Sequence, residues 1–253
     1  MRLRALLSPL MVILLWELLA ALGVLRPNYV PPPSQLGPHL FVLLVGGELW
    51  RHLLATLYRL GLSFIFALIP AVLLGLSLGM SRGARLALEP LLTSLYAIPK
   101  IALLPLVMLS LGVNERTLIF TSTLTSFVQM TVSTMAGVLA VDRIVLEAGK
   151  NYGATGWRLF RYVLFPSALP DIFTGMRIGL GLTLVLVIAV ELTAAQEGLG
   201  AFLWTAGQTF SANNLFSAFI VIGVLGLTLS YGLEWIGNRL MPWRERSSAS
   251  MFL

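Results

Sequence analysis

An all-α, polytopic membrane protein is the fold class this sequence predicts, and three observations predict it. Of its 253 residues, 57% are hydrophobic and only 11% are charged, whereas a soluble domain is roughly a quarter charged. Mean hydropathy is +0.88. Apolar runs long enough to cross a bilayer core recur along the chain, separated by stretches that carry most of the charge. These observations exclude a soluble domain and a disordered chain. The lack of cysteine excludes disulfides, thiolate metal sites, iron–sulfur clusters and cysteine nucleophiles. The net charge is +6, but the basic residues stand singly between apolar runs, as membrane-orienting charges do. No nucleic-acid partner is expected.

On a template of about 20 apolar residues per crossing, six spans are predicted: Ala5–Leu25, Tyr58–Met80, Leu88–Leu111, Thr117–Val141, Asp171–Thr193 and Leu215–Asn238. The first follows Arg2 and Arg4 as a signal peptide would. It is long for one, carries Glu17 and lacks a small-residue cleavage site, so it reads as an uncleaved helix. Between the first two spans lies the Pro31-Pro32-Pro33 run. After it, Leu40–Leu57 reads as an amphipathic stretch on the membrane surface. With the N-terminus inside, the cytoplasmic side holds Arg2, Arg4, Arg82, Arg85, Arg143, Lys150, Arg158, Arg161, Arg177, Arg239, Arg244 and Arg246. The outside holds Arg26, Arg51 and Arg116, with Arg59 and Lys100 at or within spans. That excess places both termini in the cytoplasm. The expected organisation is an N-terminal segment 1–57, a transmembrane core 58–241 containing a cytoplasmic loop 142–170, and a cytoplasmic tail 242–253.

The loop Asp142–Pro170 alternates charge with large apolar residues. Asp142 is placed to cap a short helix through Glu147 and Lys150, which Gly153 closes in a left-handed conformation. Thr155 is placed to cap a second short helix carrying Trp157, Leu159, Phe160 and Tyr162, which Pro166 ends. Exposed aromatics on such an elbow mark either a partner site or an interfacial helix pair against headgroups.

The spacing decides between these. Glu147-Ala148-Gly149, then Gly153, then Val163, Phe165 and Pro166 resembles the EAA loop of ABC importer permeases, whose pattern is Glu-Ala-Ala, three residues, Gly, nine residues, Ile, one residue, Leu-Pro. Glu147, Ala148, Gly153 and Pro166 match it identically, while Gly149, Val163 and Phe165 replace Ala, Ile and Leu. The Tyr29–Pro33 run, Ile98–Leu106, Leu169-Pro170, Glu191 and Gly198-Leu199-Gly200 are similar to the nitrate, sulfonate and taurine class of these permeases, so the resemblance extends from about Tyr29 onward. It implies a six-helix type I importer permease with a MetI-like core in the bacterial inner membrane. It also implies a second, identical permease copy, two ABC ATPase subunits that carry ATP and magnesium, and a solute-binding protein. No cofactor is implied in this chain. The loop Glu147–Pro166, with Trp157 and Phe160, becomes the ATPase-coupling site, and no residue is catalytic. Consistently, the sequence holds no G-x-x-x-x-G-K-[ST] phosphate loop.

Four residues are candidates for the translocation path. Lys100 falls mid-span between Pro99 and Pro105, where it either lines a path that favours an anion or snorkels to an interface. Glu191, about 30 Å along a helix from Asp171, reaches the outer interface as a gate or as a polar helix end. Gln129, beside the hydroxyl run Thr121–Ser126, lines the path or joins helices. Arg177, with Lys100, leans the substrate toward a small anion. Gly75-x-x-x-Gly79 and Gly175-x-x-x-Gly179 are expected to pack helices closely. Gly79–Gly83 matches the nucleophile elbow G-x-S-x-G, but no strand precedes it. His39 and His52 lie on the opposite side of the membrane from it, with no carboxylate pair for a metal. Two rival classes remain: an ion-coupled secondary transporter using Glu191 and Lys100, and a membrane-embedded hydrolase or transferase.

Overall fold

A computed structural model describes residues 2–243, with side chains from Leu7 onward. The side chains of Arg2 and Arg4, and Arg244, Arg246 and the rest of the predicted tail after Trp243, lie outside the described residues. Helices account for the fold, and no strand occurs among the described residues. In chain order they are α1 (Arg2–Ala21), α2 (Pro33–Val45), α3 (Glu48–Met80), α4 (Arg82–Ala97), a 3₁₀ turn (Lys100–Leu103), α5 (Leu104–Leu111), α6 (Glu115–Leu139), α7 (Arg143–Asn151), α8 (Gly156–Leu159), a π turn (Phe160–Leu164), α9 (Phe165–Ala194), α10 (Leu199–Gln208) and α11 (Ala212–Leu240).

Three helices are long and apolar enough to cross a bilayer: Glu48–Met80, Gly156–Ala194 and Ala212–Leu240. Up to five crossings result if each of two bent pairs counts as one span, Arg82–Ala97 with Lys100–Leu111 at 91° and Glu115–Leu139 with Arg143–Asn151 at 62°. The first of the six expected spans corresponds to a shorter apolar helix, Leu7–Ala21.

Three sequence expectations about boundaries are corrected. Leu40–Leu57 is not one surface stretch: Gly46-Gly47 divides it, and from Glu48 onward it is the beginning of α3. No proline interrupts the helix between Glu48 and Pro70, and His52, Thr56, Arg59 and Ser63 there find partners inside the protein. Leu88–Leu111 is not one straight span, because Ile98 and Pro99 turn the chain in extended backbone, as a pre-proline residue favours. Pro166 does not end a second loop helix. α8, the π turn and α9 run on continuously from Gly156 to Ala194, with Pro166 two residues past the end of the π turn. In that wider turn Phe165 N–H donates to Phe160 O, and the local register shift accommodates a residue that has no N–H to give.

The chain forms two compact units. One holds the chain up to Thr56 together with Glu191–Leu225, and the other holds Leu57–Val190 with the segment from Gly226 onward. In the second unit α6 is the central element, with hydroxyl residues Thr117, Thr121, Ser122, Ser126, Thr131 and Thr134 all buried. Both small-residue motifs pack against it as expected. A Cβ on Gly75 would lie 2.5 Å from Thr134 Cβ, and one on Gly79 would lie 2.5 Å from Val138 Cβ. On the other flank Gly175 meets Ser133, and a Cβ on Gly179 would lie 3.1 Å from Met130 Cγ. Ser126 Oγ pairs with Thr183 Oγ1 between α6 and α9. Close backbone approach plus hydroxyl bridges is how apolar helices associate without a hydrophobic gradient.

In the first unit, Glu17 on α1 accepts from Ser34 N and Oγ at 3.0 and 2.7 Å. The carboxylate that argues against a signal peptide thus caps the start of α2.

Candidate coupling loop and buried polar sites

The loop after α6 is built as two arms joined at Gly153. Asp142 Oδ1 accepts from Ile144 N at 2.8 Å and caps α7. At the other end Gly153 adopts φ +82. Gly153 N–H donates to Lys150 O at 2.9 Å and Ala154 N–H to Gly149 O at 3.0 Å, the paired bonds of a Schellman cap. Thr155 occupies the N-cap position of α8 but makes no side-chain capping bond. A Cβ at Gly149 would lie 2.9 Å from Val163 Cγ2 and 3.1 Å from Leu159 Cδ1, so glycine lets α7 lie directly on the second arm.

The side chains divide by direction. Phe160, Leu164, Phe165 and Leu169 pack on the buried cluster Leu76, Val138, Ala168 and Ile172, fixing the second arm to α3, α6 and α9. Trp157 stacks on Phe160 at 4.9 Å between ring centroids yet is 69% exposed. Tyr152, at 93%, and Ile144, at 72%, are freer still. Glu147 and Ala148 are exposed on α7, while Gly149, Val163, Phe165 and Pro166 are half-buried. A cleft of about 380 Å³ opens beside α7, lined by Val145, Gly149, Val163, Pro166 and Pro170, with Trp243 after α11 as a further wall. The elbow is therefore an apolar, aromatic surface whose base is held rigidly in the helix core.

The path candidates fall in separate places. Lys100 opens the 3₁₀ turn after the chain's corner, its Nζ donating to Tyr96 O at 2.8 Å and lying 5.3 Å from the Tyr96 ring centroid. Gln129 Nε2 donates to Ser133 Oγ at 3.2 Å, on α6. Arg177 on α9 pairs with Glu234 on α11 at 3.2 Å, with both side chains about half exposed. Glu191 is fully buried near the end of α9. Its carboxylate accepts from Thr56 Oγ1 at 2.9 and 3.0 Å and from Gly200 N at 3.0 Å. Thr56 Oγ1 in turn accepts from Leu199 N at 2.8 Å. His52 Nδ1 lies 3.0 Å from Gly198 O and 3.1 Å from Gly198 N, its tautomer selecting between them. Glu191 and Thr56 together cap α10, where a carboxylate is favoured by the helix dipole. Gly198 at φ +124 must be glycine, since a Cβ there would lie 2.5 Å from both Glu191 oxygens.

Sequence reasoning missed this cap and one further buried site. Arg59, 3% exposed, donates from Nε and Nη2 to Glu115 at the start of α6, at 2.8 and 2.6 Å. Ser63 Oγ donates to Ile119 O at 3.1 Å. The signal was present: His52, Thr56, Arg59 and Ser63 recur at helical spacing on one face of α3. No cluster of three or more histidine, aspartate or glutamate side chains able to hold a metal occurs among the described residues.

The chain belongs to the family of binding-protein-dependent transport system inner membrane components, whose model matches residues 71–246. It is 32% identical over 233 residues to the taurine transport system permease protein of Escherichia coli, covering 90% of this chain and 85% of that one. With the bicarbonate transport system permease protein of Synechocystis it shares 30% over 242 residues, covering 91% and 85%. A solved bacterial alginate ABC transporter, in complex with a periplasmic protein carrying an alginate pentasaccharide, matches its fold with a TM-score of 0.64, covering 94% of each chain at 17% identity. The protein is thus an ABC transporter permease, a membrane subunit that is not itself an enzyme and whose ATPase is a separate chain.

Proposed function

We propose that this permease carries a small anion of the sulfonate or bicarbonate kind inward, with two copies forming the path and both termini in the cytoplasm. The exposed face of the elbow, Glu147, Ala148, Tyr152 and Trp157, docks in one of two ATPase subunits that bind ATP and magnesium. Gly149, Gly153, Val163, Phe165 and Pro166 set its shape, and Phe160 ties it to the core. A solute-binding protein delivers the substrate from the outer side. The observation that carries the reading is the elbow itself: exposed aromatics on a capped, rigid bend whose base is packed into three membrane helices. An interfacial helix pair has no need of that anchoring, whereas a lever does. The named relatives carry taurine and bicarbonate, and both are small anion-bearing solutes. Lys100 is the path residue we favour for that anion, being half-buried at a broken helix. Glu191 is better used as the cap of α10 and Arg177 as a link from α9 to α11, while Gln129 bonds within α6.

The test is reconstitution in vesicles with its cognate ATPase and binding protein. Uptake should require all three and stop with vanadate. Uptake by the permease alone, driven by an ion gradient, would replace this reading with the secondary-transporter one.

A further inference from the structure

α10 ends in the same hydrogen-bonded cap as α7. Phe210 N–H donates to Gly207 O at 3.2 Å and Ser211 N–H to Ala206 O at 2.9 Å. At the left-handed position, where α7 has Gly153, this cap has Phe210 at φ 53. It is the single non-glycine residue with positive φ among the described residues, in a conformation that a bulky side chain disfavours and glycine adopts freely. Its ring is 90% exposed. The fold therefore gains nothing evident from the phenylalanine, and glycine would end the helix better. Strain kept at an exposed aromatic points to a use for the side chain outside the chain.

The neighbours say what kind of partner. Gln208, Thr209, Ser211, Asn213 and Asn214 flank Phe210 in the chain with uncharged polar groups, which suit water better than lipid, and headgroup belts favour Trp and Tyr. An exposed aromatic among uncharged polar residues is the composition of a protein–protein anchor. Phe210 precedes α11 and Trp243 follows it, and α11 is long and apolar enough to cross a bilayer. Membership of a binding-protein-dependent family supplies a partner for the end away from the ATPase. We propose that Phe210 is an anchor for the solute-loaded binding protein; this rests on the transporter reading above.

The experiment uses the full transporter in vesicles and measures the concentration of loaded binding protein that half-maximally stimulates ATP hydrolysis. Phe210→Gly should raise that concentration at least fivefold while leaving the melting temperature unchanged or higher. An unchanged half-maximal concentration overturns the proposal, and so does a rise accompanied by a clear fall in melting temperature, since the residue then acts through the fold. A second arm labels Phe210→Cys, in a chain otherwise free of cysteine, with an environment-sensitive dye. Its emission should shift when loaded binding protein is added. A shift on phosphatidylglycerol vesicles alone, with no change on adding binding protein, assigns the residue to lipid and overturns the proposal. Ready disulfide cross-linking of two permease copies through the introduced thiols overturns it as well. If the wild-type transporter responds to no binding protein while Phe210→Gly melts as expected, the transporter reading fails instead and takes this one with it.

Discussion

Arg59 holds the Glu115 carboxylate through two parallel hydrogen bonds of 2.8 and 2.6 Å, a bidentate clamp between α3 and the first turn of α6. The guanidinium is buried and the carboxylate half exposed, so the two partners are not equivalent. Breaking a buried ion pair from either side costs stability, because the remaining partner loses the hydrogen bonds that offset its desolvation.

Glu115→Ala and Arg59→Met should each destabilise the protein in detergent unfolding experiments. The double mutant should fall short of the sum, with a coupling energy of about 1–3 kcal/mol. Additive single effects would mean the clamp holds nothing.

Gly198→Ala should cost more than about 2 kcal/mol, combining an unfavourable left-handed backbone with a clash against the Glu191 carboxylate. Adding Glu191→Ala should recover part of that loss by removing the clash. Thermal melts of the two single variants and the pair decide it, and a fully additive double variant would contradict the geometry.

At the elbow, Gly149→Leu should push α7 away from Val163 and Leu159, and the expected outcome is at least a tenfold loss of substrate-stimulated ATP hydrolysis. Val163→Ala should restore part of it, because the nearest contact is a Val163 methyl at 2.9 Å. The readout is ATPase rate per assembled complex, with assembly measured by co-purification. Failure of Val163→Ala to rescue would place the fault elsewhere.

Lys100→Met should lower uptake of an anionic solute severalfold while the complex still assembles. Initial uptake rates at several substrate concentrations test this. Unchanged rates, with a small loss of stability, would leave Lys100 only its bond to Tyr96 O at the end of α4.

What is legible in the sequence is local. Asp142 and Gly153 announce the two ends of α7 by residue type, and each behaves as its chemistry requires. The glycine pairs on α3 and α9 likewise foretell close packing because only helix periodicity and small size are involved. Pro166 misleads for want of the π turn, a feature set by hydrogen-bond register that no residue type signals. Glu191 shows the other limit. Its position near a helix end is readable, but its partner Thr56 lies 135 positions away, and no local pattern links them. Arg59 and Glu115, 56 positions apart, escape notice for the same reason, although the polar stripe on α3 marks one half of each pair.

The π turn at Phe160–Leu164 has a consequence for the evolution of such transporters. A wide turn holds one residue more than an α-helical turn would, and each residue in a helix rotates what precedes it by about 100°. Losing a single residue there would leave every side chain of the elbow intact yet swing Trp157 and α7 round to a different bearing on the α9 axis. On the coupling role proposed for the elbow, the compass direction in which this subunit meets its motor is written in the length of five residues, and exchanging motors between relatives would require that this length agree.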